Sequence, residues 1–205
     1  MNTTRMKKQG MSARDFVAIG IFGAISLVIF FVTGGIAALT LVGTVANIPI
    51  ICFFTSIAYM LLVSRVRKKG TFLIMGIINV LPGLMAANII GVAASILGWG
   101  IAEIIASSNR YSSKKILILS YVVGCVFQSA FFTLPMYASN AQYLIERQEI
   151  LHLTDAALEQ YLHLFTWPVF GSMVVLTAIT SFVGALISTR ILRKHFEKSG
   201  LLSEK

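Results

Sequence analysis

The sequence contains little charge and few acidic residues. Only 12% of its 205 residues are charged, 8 of them acidic and 17 basic, while 57% are hydrophobic. Soluble domains carry about 25% charged and about 45–50% apolar residues. This shortage excludes an ordinary soluble domain and predicts that lipid surrounds the chain. The net charge of +9 does not indicate a nucleic-acid partner, because the basic residues stand in short clusters between apolar runs, as membrane orientation requires.

Several motifs of catalysis and cofactor binding are also absent. The sequence contains no G-x-x-x-x-G-K-[ST] loop for ATP, no H-E-x-x-H and no G-x-S-x-G. Its two cysteines, Cys52 and Cys125, lie inside apolar runs, which argues against a disulfide framework or a metal site. The three histidines lie outside those runs, and we interpret them as surface residues. We therefore expect no enzyme activity, no metal and no cofactor in this chain.

Long apolar runs are what the sequence does contain, and a helix needs about 20 such residues to cross the bilayer. The run 71–106 is too long for one helix, and Pro82-Gly83 and Asn88 mark a turn within it. We predict one all-α transmembrane domain, residues 1–205, with spans at about 16–33, 47–63, 71–87, 89–106, 116–138 and 168–189. We interpret 36–46 as a short outer loop; a single kinked helix through the second run is the alternative.

Lysine and arginine predict the orientation. Every second connection is basic, and Arg147 is the exception. This places both termini in the cytoplasm and residues 139–167 outside. Within that external loop Thr154 can cap a helix. The apolar stripe of this helix is predicted to be Leu158, Tyr161, Leu162 and Phe165. The helix is either a lid over a pocket or an interfacial helix resting on the membrane.

Uncharged polar and aromatic residues in the middle and outer parts of the spans suggest a pocket for a small organic molecule. The alternative for each is hydrogen bonding between helices or an interfacial aromatic belt. The candidate substrate-binding residues are Asn47, Asn79, Asn88, Ser95, Gln128, Tyr137 and Trp167. Small residues recur every four positions in two spans, which predicts close helix packing. Glu103, the one acid well inside a span, is expected to reach the cytoplasmic interface or a partner subunit.

The segment Ala13–Ala24, read ARDFVAIGIFGA, resembles the first helix of the substrate-binding (S) components of energy-coupling factor (ECF) transporters. Size, six spans and a long external loop agree, and the chain is similar to the bacterial Trep_Strep group, also labelled MptD-family S components. The resemblance implies that Gly20 and Ala24, matching an Ala-x-x-x-Ala motif, dock on a transmembrane coupling subunit. It also implies two cytoplasmic ATPase partners, which use the ATP, and a small organic micronutrient captured outside.

Two other classes of function stay open. A self-contained six-helix facilitator or channel predicts solute flux in liposomes that contain this chain alone. A membrane enzyme or assembly factor predicts chemistry, for which the sequence offers neither a nucleophile nor a base. A substrate-capture subunit instead predicts co-purification with ATPase subunits and no transport by the chain alone.

Overall fold

A computed structural model describes residues 10–37, 39–85, 87–139, 142–146, 148–149 and 154–198. The described residues form helices and connecting turns, without strands. The helices are α1 Ala13–Ala37, α2 Leu41–Val45, α3 Asn47–Arg65, α4 Thr71–Val80, α5 Pro82–Met85, α6 Ile89–Ser108, α7 Lys114–Ala138, α8 Gln142–Ile145, α9 Asp155–Leu164 and α10 Trp167–Lys198.

Five helices, α1, α3, α6, α7 and α10, are long and apolar enough to cross a membrane. The third predicted span is shorter, because α4 and α5 together cover Thr71–Met85 and are separated at Leu81. Pro82 begins α5, where its missing N–H costs no helical hydrogen bond. Five candidate spans therefore meet the length requirement, while the third predicted span is a shorter, interrupted helix.

Contacts between helices give the direction of each segment. The helices α1, α4–α5 and α7 run one way, and α3, α6 and α10 run the other way. The pairs that fix this are Gly23 with Ile78, Gly34 with Asn47, Phe72 with Glu103, Trp99 with Gln128, Ser129 with Thr177 and Ser56 with Ser188. Both ends of the described chain therefore lie at the end of the bundle that carries Arg14, Arg65, Lys68, Lys114 and Arg190, called here the basic end. The opposite end is the distal end.

The centre of the bundle is built around Trp99 of α6. Its ring stacks on Tyr59 of α3, with centroids 4.9 Å apart and planes 14° from parallel. A Cβ built on Gly76 of α4 or Gly124 of α7 would overlap the Trp99 ring. The indole Nε1 donates a hydrogen bond of 2.9 Å to Oε1 of Gln128. Glycine at these two positions therefore allows three helices to close around one large ring.

Aromatic packing continues from Trp99 toward the basic end through Phe72, Tyr111 and Tyr121, which are fully or almost fully buried. The Tyr121 hydroxyl lies 2.9 Å from Oγ1 of Thr55 and 2.5 Å from the carbonyl oxygen of Cys52, which joins α7 to α3. Buried aromatic residues add favourable ring contacts to their area of burial. The described residues of this half therefore form a continuous aromatic core.

Glu103 does not extend to the interface, which corrects the sequence expectation. It is 9% exposed, and its carboxylate accepts hydrogen bonds from the Tyr111 hydroxyl at 2.6 Å and from the Phe72 N–H at 3.0 Å. Tyr111 reaches back because Arg110 and Tyr111 adopt left-handed conformations, with φ of 50° and 58°. Burial, and then the neighbouring carboxylate, raise the pKa of the Tyr111 hydroxyl. The carboxylate therefore caps the first turn of α4, where the helix dipole favours negative charge.

The small-residue faces of α6 and α10 pack inside the bundle, as predicted. On α6, Ala102 and Ala106 are fully buried, and a Cβ on Gly98 would overlap Phe127 of α7. On α10, Thr177 lies 2.8 Å from the Ser129 hydroxyl of α7. Such faces let helix backbones approach closely, so that dispersion and interhelical hydrogen bonds hold them together.

Replacing Gly124 tests the packing around Trp99. We expect Gly124→Leu to lower the free energy of unfolding by about 2–3 kcal/mol or more, because overpacking forces side chains and backbone apart. The control is Gly100→Leu on α6, where an added Cβ meets no atom within 4 Å. Thermal unfolding in detergent micelles, followed by circular dichroism, measures both variants. Equal loss of stability in the two would contradict the packing described.

Candidate functional site

Two of the predicted binding residues are fully engaged in the middle of the bundle. Asn79 accepts a hydrogen bond from Ser26 Oγ at 2.6 Å and donates to the Tyr59 hydroxyl at 3.2 Å and to the Met75 carbonyl at 2.9 Å. These bonds join α1, α3 and α4. Gln128 accepts the indole hydrogen of Trp99. Both side chains therefore hold helices together, and their contact with a ligand stays a prediction.

Two further predicted residues organise the start of α6. Asn88 is its N-cap: Oδ1 accepts from the Gly91 N–H at 3.1 Å, and Nδ2 donates to the Phe132 carbonyl of α7 at 2.6 Å. Ser95 Oγ donates to the Gly91 carbonyl one turn earlier, at 2.7 Å. An asparagine cap satisfies a backbone donor that a helix start leaves free. These bonds give both residues a local structural role, and ligand binding by either stays a prediction.

Asn47 and Tyr137 differ from the others because each has a buried oxygen without a hydrogen-bond partner. The Asn47 Oδ1 lies beside α1, where a Cβ on Gly34 would be 3.3 Å away. Tyr137 is 2% exposed, and its ring packs against Phe165 and Phe170 with centroids 4.9 Å and 5.0 Å away. Leaving a buried polar group unpaired costs about 1–3 kcal/mol. Such atoms require an explanation, and contact of Asn47 or Tyr137 with a ligand stays a prediction.

The helix α9 covers this part of the distal end. Thr154 caps it through a hydrogen bond from the Ala157 N–H at 3.2 Å. The Tyr161 hydroxyl lies 3.3 Å from Oγ1 of Thr44, which follows α1 in the chain, and Phe165 contacts the ring of Tyr137 edge-on. The helix therefore touches both the connection before α3 and the end of α7. These contacts agree with either alternative for the segment 139–167, and both the lid and the interfacial helix stay predictions.

The inward face of α9 differs from the predicted stripe at one position. Leu158, Tyr161 and Phe165 are half-buried as the periodicity indicates, but Leu162 is exposed. Leu164 is half-buried instead. The contacts that a short helix makes with its neighbours decide which of its sides faces inward. The contacts made by Tyr161 and Phe165 turn Leu164 of α9 toward the bundle.

Trp167 lies at the start of α10 and is 57% exposed. Its ring contacts Phe170 edge-on with centroids 5.7 Å apart. An exposed tryptophan at the end of an apolar helix is typical of the membrane interface. This position favours the interfacial interpretation, and substrate contact by Trp167 stays a prediction.

A separate open cleft of 380 Å³ lies at the distal end between the α5–α6 turn, the end of α7 and α8. Small-molecule sites occupy volumes of about 300–1,000 Å³. The cleft is lined by Ala87, Asn88, Ile89, Ile90, Pro135, Ser139, Gln142 and Glu146. Asn88 is the predicted binding residue that lines this cleft.

The predicted docking residues Gly20 and Ala24 lie on the exposed side of α1. A Cβ on Gly20 would meet no atom within 4 Å, whereas a Cβ on Gly23 would lie 2.9 Å from Ile78 of α4. One side of α1 therefore holds the bundle together, and the side that carries Gly20 and Ala24 contacts no other helix of the described chain. Partner docking on it stays a prediction.

Over residues 13–198 the sequence matches the family described as a hypothetical bacterial integral membrane protein, Trep_Strep. The chain belongs to the Trep_Strep family. No curated protein and no solved structure matches it. Membership agrees with the five long apolar helices and establishes a multi-pass membrane protein.

Substitution of Tyr137 tests whether its hydroxyl has a hydrogen-bond partner within the Trep_Strep protein in the absence of a ligand. We expect Tyr137→Phe to leave the free energy of unfolding within about 0.5 kcal/mol or to raise it, because the deleted hydroxyl has no partner. We expect Asn79→Ala to lower it by about 1–3 kcal/mol, because Ser26 and Tyr59 each lose a buried partner. Thermal unfolding in detergent compares the two variants. Equal destabilisation would show that the Tyr137 hydroxyl is engaged within the protein.

Proposed function

We propose that this Trep_Strep protein is the substrate-capture (S) component of an ECF-type importer in the bacterial cytoplasmic membrane. It has six spans in this proposal, with α4–α5 as the short third span. The basic end faces the cytoplasm, because lysine and arginine favour that side. Both termini are therefore cytoplasmic, and the distal end with α9 faces outward.

The observation that carries the proposal is the solid packing of the half of the bundle next to the basic end. Trp99, Tyr59, Phe72 and Tyr121 are each 1% exposed or less, and the Tyr59 ring contacts the rings of the other three. Protein interiors packed in this way contain few voids larger than a water molecule. A solute that enters from outside therefore has no route between these helices. Delivery to the cytoplasm then needs movement of the whole subunit, which a coupling partner supplies.

The distal end offers the features of a capture site. The buried oxygens of Asn47 and Tyr137 are available for hydrogen bonds with a ligand, and the aromatic rings of Phe165 and Phe170 provide apolar contacts. A few oriented polar groups within an apolar wall are typical of small-molecule sites. In this proposal α9 closes over a small organic micronutrient through its contacts with Thr44 and Tyr137.

The coupling subunit docks on α1 in this proposal. Gly20 and Ala24 are small, exposed residues one turn apart, and helix backbones approach closely across such pairs. ATP is used by two cytoplasmic ATPases that belong to the partner complex, because the sequence has no phosphate-binding loop of its own. The chain itself binds the small molecule and the lipid bilayer, without nucleic acid.

Transport in liposomes tests the function. The ligand is first identified by mass spectrometry of molecules retained by the purified protein. We expect the chain alone to bind this ligand without moving it across the membrane. Uptake should require the coupling subunit, both ATPases and ATP. ATP-independent flux through liposomes with this chain alone would support the facilitator alternative and overturn the proposal.

Docking on α1 is tested by adding bulk at its exposed glycines. We expect Gly20→Trp to reduce the yield of the complex with the coupling subunit by about tenfold, since a loss of 1.4 kcal/mol in association corresponds to that factor. Ligand binding by the isolated subunit should persist, because the added side chain enters open space.

The matched control is Gly35→Trp, on the same helix nearer the distal end, where an added Cβ also meets no atom within 4 Å. It should retain the complex, because it lies outside the Gly20–Ala24 surface. Co-purification on a tagged coupling subunit measures both variants. An intact complex with Gly20→Trp, or equal loss with Gly35→Trp, would assign docking to another surface.

A further inference from the structure

The open cleft of 380 Å³ between the α5–α6 turn, α7 and α8 has one apolar wall. Ile89 and Ile90 begin α6 and line the cleft, and they are 69% and 78% exposed. Ala87 and Pro135 extend this apolar surface. Exposed isoleucines at the end of a long apolar helix favour contact with lipid, so we expect access to the cleft from the bilayer as well as from water.

The other wall carries hydrogen-bond acceptors. Ser139, at the end of α7, and Gln142 and Glu146, in and just after α8, line the same cleft. The Gln142 amide donates to the Glu146 carboxylate at 3.3 Å, which leaves the amide oxygen of Gln142 as an acceptor. A carboxylate beside an amide oxygen and a hydroxyl suits a donor with several hydrogens, such as an ammonium group.

The charge of this end favours a cation. The segment 139–167 contains four acidic residues, Glu146, Glu149, Asp155 and Glu159, against the single basic residue Arg147, which lies outside the described residues. The other lysines and arginines of the described chain lie at or near the basic end. A cleft whose surroundings carry one sign of charge concentrates ligands of the opposite sign.

We infer that this cleft binds an amphipathic molecule with a protonated amine, whose ammonium group contacts Glu146 and whose hydrocarbon part lies on Ile89 and Ile90. Two sources carry this chemistry: an aminophospholipid of the bilayer, and a free amphipathic amine in solution. The inference does not rest on the proposed transport role, because it concerns binding to this chain alone.

Dodecylammonium and 1-dodecanol provide matched probes with the same hydrocarbon chain, with and without the cation. The full-length protein is placed in phosphatidylcholine nanodiscs at pH 7, where an alkylamine is protonated. Native mass spectrometry then counts bound molecules as a function of probe concentration. We expect dodecylammonium to bind about tenfold more tightly than dodecanol, because a charge-assisted hydrogen bond is roughly twice as strong as a neutral one.

Variants distinguish this cleft from general acidity and from general partitioning. Glu146→Gln should remove most of the preference for dodecylammonium, while Glu159→Gln on α9, exposed and outside the cleft, should keep it. Ile90→Ser should weaken binding of both probes, and its exposed position leaves the fold intact. Equal binding of the two probes, or an unchanged preference in Glu146→Gln, would overturn the inference.

Adding phosphatidylethanolamine to the nanodiscs separates the two sources. Competition with dodecylammonium, lost in Glu146→Gln, would assign the cleft to the lipid headgroup. Retained dodecylammonium binding in its presence would assign the cleft to a free amphipathic amine. Both outcomes support an ammonium site at Glu146. Uptake into liposomes tests the transport role separately. A failure of the ammonium site and a failure of the transport role can therefore be told apart.

Discussion

The packing of Trp99 against two glycines is the constraint on which the rest of the bundle depends. Lipid tails are as apolar as the helix surfaces, so the helices gain little from burying hydrophobic area against each other. Association then requires close fit. Gly76 of α4 and Gly124 of α7 have no Cβ where the indole lies, and Tyr59 of α3 stacks on its face. The four helices α3, α4, α6 and α7 therefore meet at the Trp99 ring, and this contact fixes their positions relative to one another.

Hydrogen bonds between uncharged groups also hold together the helices around Trp99. Their distribution distinguishes this region from the distal end. Asn79 joins three helices, and Tyr121 joins α7 to α3. Glu103, a costly residue within a membrane, accepts hydrogen bonds locally from Tyr111 and from the first turn of α4. Near the distal end, by contrast, Asn47 and Tyr137 keep unpaired oxygens. Among the described residues, the two buried side-chain oxygens or nitrogens without a partner both lie near the distal end, and binding of a ligand there stays a prediction.

The sequence predicted the elements that depend on local pattern. Apolar runs predicted the long helices, Asn47 stands where α3 begins, and the four-residue repeat of small residues predicted the faces of α6 and α10. The sequence did not predict which polar residues would find partners, because those pairs are distant in the chain: Ser26 and Asn79 are 53 residues apart. Glu103 was misplaced for the same reason, since its capping role requires a turn that returns Tyr111. On α9, Leu164 faces the bundle in place of the predicted Leu162. The contacts of Tyr161 and Phe165 with other helices set this orientation, and the periodicity of the sequence does not encode such contacts.

The two faces of α1 have different surroundings within the described chain. Gly23 and Gly34 face inward, and added atoms there would meet Ile78 and Asn47. Gly20 faces outward into open space. A residue whose surroundings are empty has no packing reason to be small, whereas close approach by another helix provides one. Lipid tails accommodate any side chain of similar polarity, so bare lipid exposure does not require glycine at this position. Gly35 of the same helix also faces open space, so an open glycine does not by itself identify a docking surface, and docking of a partner at Gly20 and Ala24 stays a prediction.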